Sequence, residues 1–153
     1  MKTEPIPPFE RLYQRHCGEI LAYLRRIAGP GMAEDAFQDT FLRALGGYGK
    51  LRSATNLRAW LFTIATRVVI DEHRRPQPVL DVPDLPIEDE LPAYAELEPL
   101  TGALPPTERA AVVLRYGYDL SYGDIATALG SSEDAARQAA SSGVRRLREG
   151  SVT

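Results

Sequence analysis

Residues 120–142 read LSYGDIATALGSSEDAARQAASS, and their punctuation decides the fold. Ser121-x-x-Asp124 has the spacing of a capping box, in which a hydroxyl accepts the backbone N–H three residues ahead and starts a helix. Ile125 and Leu129 then fall on one side, and Gly130 supplies a C-cap. Ser131-x-x-Asp134 repeats the device and predicts a last helix. On that helix Ala136, Ala140, Val144 and Leu147 form one narrow apolar stripe. Ala126, Gly130 and Ala136 are small enough for the two helices to cross closely. Two short helices joined in this way fit a helix-turn-helix, with a hairpin that merely packs as the alternative.

With the stripe inward, the last helix presents Arg137, Gln138, Ser141, Ser142 and Arg145. Arginine can pair bidentately with guanine and glutamine with adenine, while serine hydroxyls serve bases or phosphates. Glu133 and Asp134 occupy the first turn, where carboxylates cap free N–H groups and complement the helix dipole. They also weaken attraction for phosphate at that end. Arg145, Arg146 and Arg148 put the cationic charge at the other.

Upstream, Pro105-Pro106-Thr107-Glu108 starts one more helix, with Ala110, Val113, Leu114 and Tyr118 on its buried side. Before it, residues 76–103 contain prolines at 76, 78, 83, 86, 92 and 99, too many for a continuous helix or a central strand. This stretch holds seven of the 21 acids and none of the 18 Lys and Arg residues. The net charge of −3 therefore hides an acidic tether between two mildly basic ends. The expected organisation is a domain over 1–75, a linker over 76–103 and a domain over 104–150.

The N-terminal part is also helical. Phe9, Leu12, Tyr13, Ile20, Leu21, Leu24 and Ile27 mark one amphipathic helix, ended by the Gly-Pro-Gly at 29–31. A second covers about 32–46, with Ala36, Phe37, Thr40, Phe41, Ala44 and Leu45 as its apolar stripe and Gly46-Gly47 as its stop. A third runs about 56–74, with Leu57, Trp60, Leu61, Ile64 and Val68 on one side. No β pattern competes, so the fold class is all-α, two small helical domains.

Helix three is basic. Arg58, Arg67, His73, Arg74 and Arg75 surround its apolar side, and the preceding loop supplies Tyr48, Lys50, Arg52, Ser53, Thr55 and Asn56. Cations that track a backbone, beside rings and amides that hold unstacked bases, suit single-stranded or melted DNA. A solvated basic face is the plainer reading. On helix two, Asp35, Gln38 and Asp39 lie along one edge. No His, Cys or third acid completes a catalytic or metal site there, and no phosphate loop or nucleophile elbow occurs anywhere. The edge is read as a patch that docks on a basic partner helix, against an ordinary polar face.

The single cysteine, Cys17, excludes an internal disulfide and a multi-Cys metal site. No apolar run approaches the roughly 20 residues that cross a bilayer, and the N-terminus lacks the apolar core of a signal peptide. The expectation is a cytoplasmic protein that is not an enzyme and needs no cofactor or metal.

Three stretches together resemble the extracytoplasmic-function (ECF) sigma factors of bacterial RNA polymerase, in the sigma-70 family. AEDAFQDTFLRAL (33–45) is similar to that family's AEDLVQETFLRAW. LRAWLFTIATRVVIDEHRR (57–75) keeps Ala59, Trp60, Leu61, Ile64, Ala65, Asp71, Arg74 and Arg75 of its helix pattern. LPPTERAAVVLRYGYDLSYGDIATALGSS (104–132) resembles its C-terminal segment, and the resemblance spans about residues 9–149.

The resemblance implies a dissociable subunit that takes core polymerase to promoters. Docking on the β′ coiled coil falls to Asp35, Gln38 and Asp39. Capture of the melted minus-ten strand falls to Tyr48, Lys50, Arg52, Ser53, Asn56 and Arg67, with Arg74 and Arg75 on the adjoining duplex. The C-terminal domain is implied to bind the β flap and to read the minus-thirty-five element through Arg137, Gln138, Ser141, Ser142 and Arg145. The resemblance also leaves room for an inhibitory anti-sigma partner. Asp39 replaces a usual Glu, Arg67 stands where Asn is common, and Ala139, Ser141 and Ser142 replace later basic positions. The alternatives are a helix-turn-helix regulator that works without polymerase and a divergent sigma-like protein acting through protein contacts.

Overall fold

The computed structural model describes residues 6–74 and 104–150 and is helical in both stretches. The tether expected over 76–103, with Arg75 before it, lies outside the described residues. Helix α1 (Phe9–Ala28) buries Leu12, Ile20, Tyr23, Leu24 and Ile27. It ends at Gly29, whose φ of +82° favours glycine and whose N–H donates to Arg25 O. Pro30 opens α2 (Pro30–Tyr48) at the position where a missing N–H costs nothing. Helix α2 then doubles back along α1, because Phe9 near the start of α1 meets Phe41 and Tyr48 near the end of α2. Helix α3 (Leu57–Arg74) closes the unit, burying Leu61, Phe62, Ala65, Val68 and Val69.

Two expectations for α2 are corrected. Gly46-Gly47 does not stop the helix, which runs on to Tyr48. The ring of Tyr48 packs on Phe9 at 5.3 Å and Trp60 at 6.3 Å, while a Cβ on Gly47 would lie 3.6 Å from the Trp60 indole. Tertiary packing thus outweighs a propensity cost of about 1 kcal/mol per glycine. Leu45 is not in the buried stripe but 55% exposed. Nine residues at about 3.6 per turn put it half a turn away from the buried Ala36.

In the C-terminal part, α4 (Pro106–Val112) begins with Pro106 in its first turn and continues into a π-helical turn, Val113–Gly117. Helix α5 (Tyr122–Leu129) is capped by Ser121, whose Oγ accepts the Asp124 N–H at 3.1 Å. Gly130, at φ +66°, ends it in the left-handed conformation. Helix α6 (Glu133–Gly150) completes the pair. Its cap is Ser132, which accepts the Ala135 N–H at 3.1 Å, and not Ser131 as the spacing predicts. Ser131 is already committed, because its N–H closes α5 on Ala126 O in a Schellman pattern. Glu133 and Asp134 pair with Arg137.

Gly143, a weak helix former inside α6, has a packing reason. A Cβ there would come within 2.5 Å of Val112 Cγ2 and 3.3 Å of Glu108 O, so α6 and α4 meet only because it is absent.

The two units share one continuous core. The Tyr118 ring sits 5.6 Å from Tyr23 and 4.9 Å from Phe62, and Arg26 Nη1 donates to its hydroxyl at 2.7 Å. Arg109 donates to Ile27 O at the end of α1, and burial pushes its pKa down. Buried Tyr23 has its pKa raised by burial; its hydroxyl donates to Thr66 Oγ1, whose own proton goes to Phe62 O.

Candidate nucleic-acid and docking surfaces

Along the α2 edge, Asp35 and Gln38 are exposed and Asp39 is half-buried. Arg43 bridges Asp39 at 3.4 Å and Asp71 at 3.3 Å, which fixes the edge against α3. Beside it, Met32, Asp35, Ala36, Asp39, Val68 and Glu72 line a groove of about 220 Å³. Sequence reasoning missed Leu42, which is 68% exposed and lies seven residues after Asp35, about two helical turns along the same face. An apolar residue at that spacing from two acids was the available signal. The edge is acidic at one end and apolar at the other, as a surface that covers a cationic helix with some aliphatic area requires.

The loop into α3 is built from short-range bonds. Ser53 Oγ accepts the Thr55 N–H at 3.0 Å and donates to Thr55 Oγ1 at 2.7 Å, an ordered turn. Asn56 takes φ +59°, and its Oδ1 accepts the Ala59 N–H at 3.4 Å to cap α3. At the other end the Tyr48 hydroxyl donates to Pro7 O, so Tyr48 is half-buried as the loop's anchor. Lys50, Arg52 and Ser53 remain exposed between these two fixed points.

The C-terminal unit lies across the far end of this surface. Asn56 Nδ2 donates to Asp124 Oδ2 at 3.1 Å, Arg67 Nη2 to Thr127 O at 3.0 Å, and Arg58 Nη2 to Tyr118 O at 3.0 Å. Arg58 also pairs with Glu19 at 3.2 Å. Asn56 and Arg67 are therefore brought together, against α5. Arg74 is the last residue of α3, and Arg75 lies outside the described residues.

On α6, Arg137, Gln138, Ser141 and Arg145 are exposed and Ser142 is half-buried, accepting from Arg145 at 3.3 Å. Arg137 is held by Glu133 at 2.8 Å, approaches Asp134 at 3.8 Å and covers the Tyr122 ring. The two acids of the first turn thus partly neutralise the foremost cation of the helix. Among the described residues no group of three or more His, Cys, Asp or Glu could hold a metal ion, and no helix is long and apolar enough to cross a membrane.

Residues 12–78 match the family described as Sigma-70 region 2, and residues 102–149 match Sigma-70, region 4. The chain is similar to RNA polymerase sigma factor CarQ of Myxococcus xanthus, 30% identical over 152 residues, covering 92% of this chain and 87% of that one. It is 43% identical over 67 residues to RNA polymerase sigma factor YlaC of Bacillus subtilis, covering 43% of this chain and 39% of YlaC. A further relative is covered over 58% of its length, so the chain spans two fifths to three fifths of these two relatives. In fold it matches the sigma factor RpoE of Bartonella quintana, solved in complex with the anti-sigma factor NepR. The TM-score is 0.75 at 21% identity, covering 92% of this chain and 94% of that one.

Proposed function

Because the chain belongs to the sigma-70 family of RNA polymerase sigma factors, in its ECF branch, we propose that it directs core polymerase to specific promoters and helps to melt them. It acts as a cytoplasmic initiation subunit with no catalytic chemistry of its own. Asp35, Gln38 and Asp39, with Leu42 beside them, dock on the β′ coiled coil. Lys50, Arg52, Ser53, Asn56 and Arg67 hold the melted minus-ten strand, with Arg74 and Arg75 on the adjoining duplex. Tyr48 serves that capture by fixing the loop. The C-terminal unit binds the β flap and reads the minus-thirty-five element through Arg137, Gln138, Ser141, Ser142 and Arg145.

One observation carries this reading: an exposed cationic loop, Lys50 to Asn56, fixed at both ends, on the same three-helix unit as an acidic docking edge. Extruding a base costs a few kcal/mol, and a preformed loop that receives it recovers part of that cost. A polymerase-independent helix-turn-helix regulator gives no role to the α2 edge or to the region 2 match.

In the arrangement described, Asn56 and Arg67 stay exposed but each donates one hydrogen bond to α5, so strand capture by these two side chains competes with the contact between the two units. An anti-sigma partner, as the Bartonella protein has, would act by holding them together. In vitro transcription with purified core polymerase and a promoter library tests the proposal. It fails if the chain neither binds core nor supports initiation on any member.

A further inference from the structure

The C-terminal unit holds a stack of side chains that its helix caps do not explain. Tyr122 opens α5 and is half-buried against the core. Two guanidinium groups lie over its ring: Arg115 Cζ is 4.3 Å from the ring centre and Arg137 Cζ 5.3 Å. Arg115 belongs to the π-helical turn, and its Nη1 donates to Leu120 O at 3.1 Å. Leu120 is itself buried, and its N–H closes on Leu114 O at 3.0 Å. Contacts therefore run from a fixed backbone carbonyl, through Arg115 and a flat ring, to an exposed arginine of α6. Two cations over one ring repel each other, and Glu133 and Asp134 offset this on the Arg137 side.

Arg137 is thus restrained in two different ways. Glu133 holds it by charge at 2.8 Å, and acceptors on DNA compete for the same N–H donors. The ring acts on the guanidinium through its π face and leaves those donors to a base. Bidentate pairing with guanine needs the guanidinium fork presented in one geometry. An unrestrained arginine loses rotamer freedom in reaching that geometry, and a ring that already holds the group reduces the loss.

We propose that Tyr122 is a positioning residue for readout of the minus-thirty-five element. Its ring, fixed by Arg115, keeps Arg137 in the orientation that meets a guanine edge once Glu133 is displaced. The face of the ring does this, not the hydroxyl. This rests on the reading of α6 as the DNA-facing helix.

The test uses holoenzyme assembled from the full chain and core polymerase, on promoter DNA carrying each base substitution through the minus-thirty-five element. Arg137→Ala is expected to flatten the preference at one base pair. Tyr122→Leu is expected to lower the preference at that same pair about two- to fivefold, the size of one exposed cation–π contact, and to spare the other pairs. Tyr122→Phe keeps the ring and is expected to retain the preference. Added to Arg137→Ala, Tyr122→Leu is expected to change selectivity no further, as for two residues that act as a unit. A second measurement leaves Tyr122 in place: in the free Glu133→Gln chain, the ring-current shift of the Arg137 side-chain protons is expected to persist by NMR. Full preference in Tyr122→Leu, loss of it in Tyr122→Phe, additive effects, or unshifted Arg137 protons in Glu133→Gln each overturn the proposal. So does an equal loss at every base pair in Tyr122→Leu, which would mark a disturbed helix pair. If Arg137→Ala leaves every preference unchanged, the reading of α6 fails and the positioning role with it.

Discussion

Asn56 caps α3 with its side-chain oxygen and reaches Asp124 of the other unit with its side-chain nitrogen, across 3.1 Å. One amide thus ends a loop within its own unit and fastens the second unit over it. Asp124 was free to make this contact because Ser121 caps α5 through its own hydroxyl.

Asp124→Ala is expected to loosen this fastening while leaving the helix start intact. Such an exposed bond contributes about 1 kcal/mol or less, so the melting temperature changes little. The free chain is expected to bind a single-stranded minus-ten oligonucleotide several-fold more tightly. Anisotropy checks this, and unchanged affinity would show that the contact does not limit access.

Reversing charge with Asp35→Arg/Asp39→Arg is expected to weaken binding to core polymerase at least about tenfold, as loss of two charge-assisted contacts does. The variant also breaks the Asp39–Arg43 pair, an exposed bridge contributing under about 1 kcal/mol. Circular dichroism should therefore report the same fold. Wild-type affinity for core would remove the docking assignment.

Gly143→Ala opposes helix propensity to packing. Alanine gains up to about 1 kcal/mol as a helix former, but its methyl meets Val112 and Glu108 O, and overpacking costs about 1–3 kcal/mol. Net destabilisation of about 1 kcal/mol is expected in urea unfolding. A more stable variant would mean that α4 and α6 separate at little cost.

The two serines between α5 and α6 can be told apart by thermal melts. Ser132→Ala removes the cap of α6 and is expected to cost about 1 kcal/mol. Ser131→Ala leaves its backbone bond to Ala126 O in place and should be nearly neutral.

Helices α1, α3 and α5 were legible because apolar spacing and nearby punctuation agree there: Gly29 and Gly130 both take the positive φ that ends a helix. The sequence misleads where a distant residue decides. Trp60 carries α2 through Gly46 and Gly47, and Val112 gives Gly143 its reason. Ser131 and Ser132 show a subtler failure, since both offer the right hydroxyl and only the closing bond of the previous helix chooses between them. The candidate loop residues could be read from their chemistry. The cleft that Arg11 and Arg15 of α1 line together with Asn56 could not, because these residues are some forty apart in sequence and only the return of α3 against α1 brings them together.

On the proposed reading of α6 as the DNA-facing helix, the exposed Glu133–Arg137 pair at 2.8 Å, contributing under about 1 kcal/mol, is a contact that DNA must displace. A site on DNA must win Arg137 away from its own neighbour, and a lone phosphate offers little that a carboxylate does not. The two acceptors of a guanine edge, taken together, do offer more. On that reading, self-pairing of this kind would depress background binding to random sequence more than binding to the right one, so a helix with few cations would trade grip for discrimination.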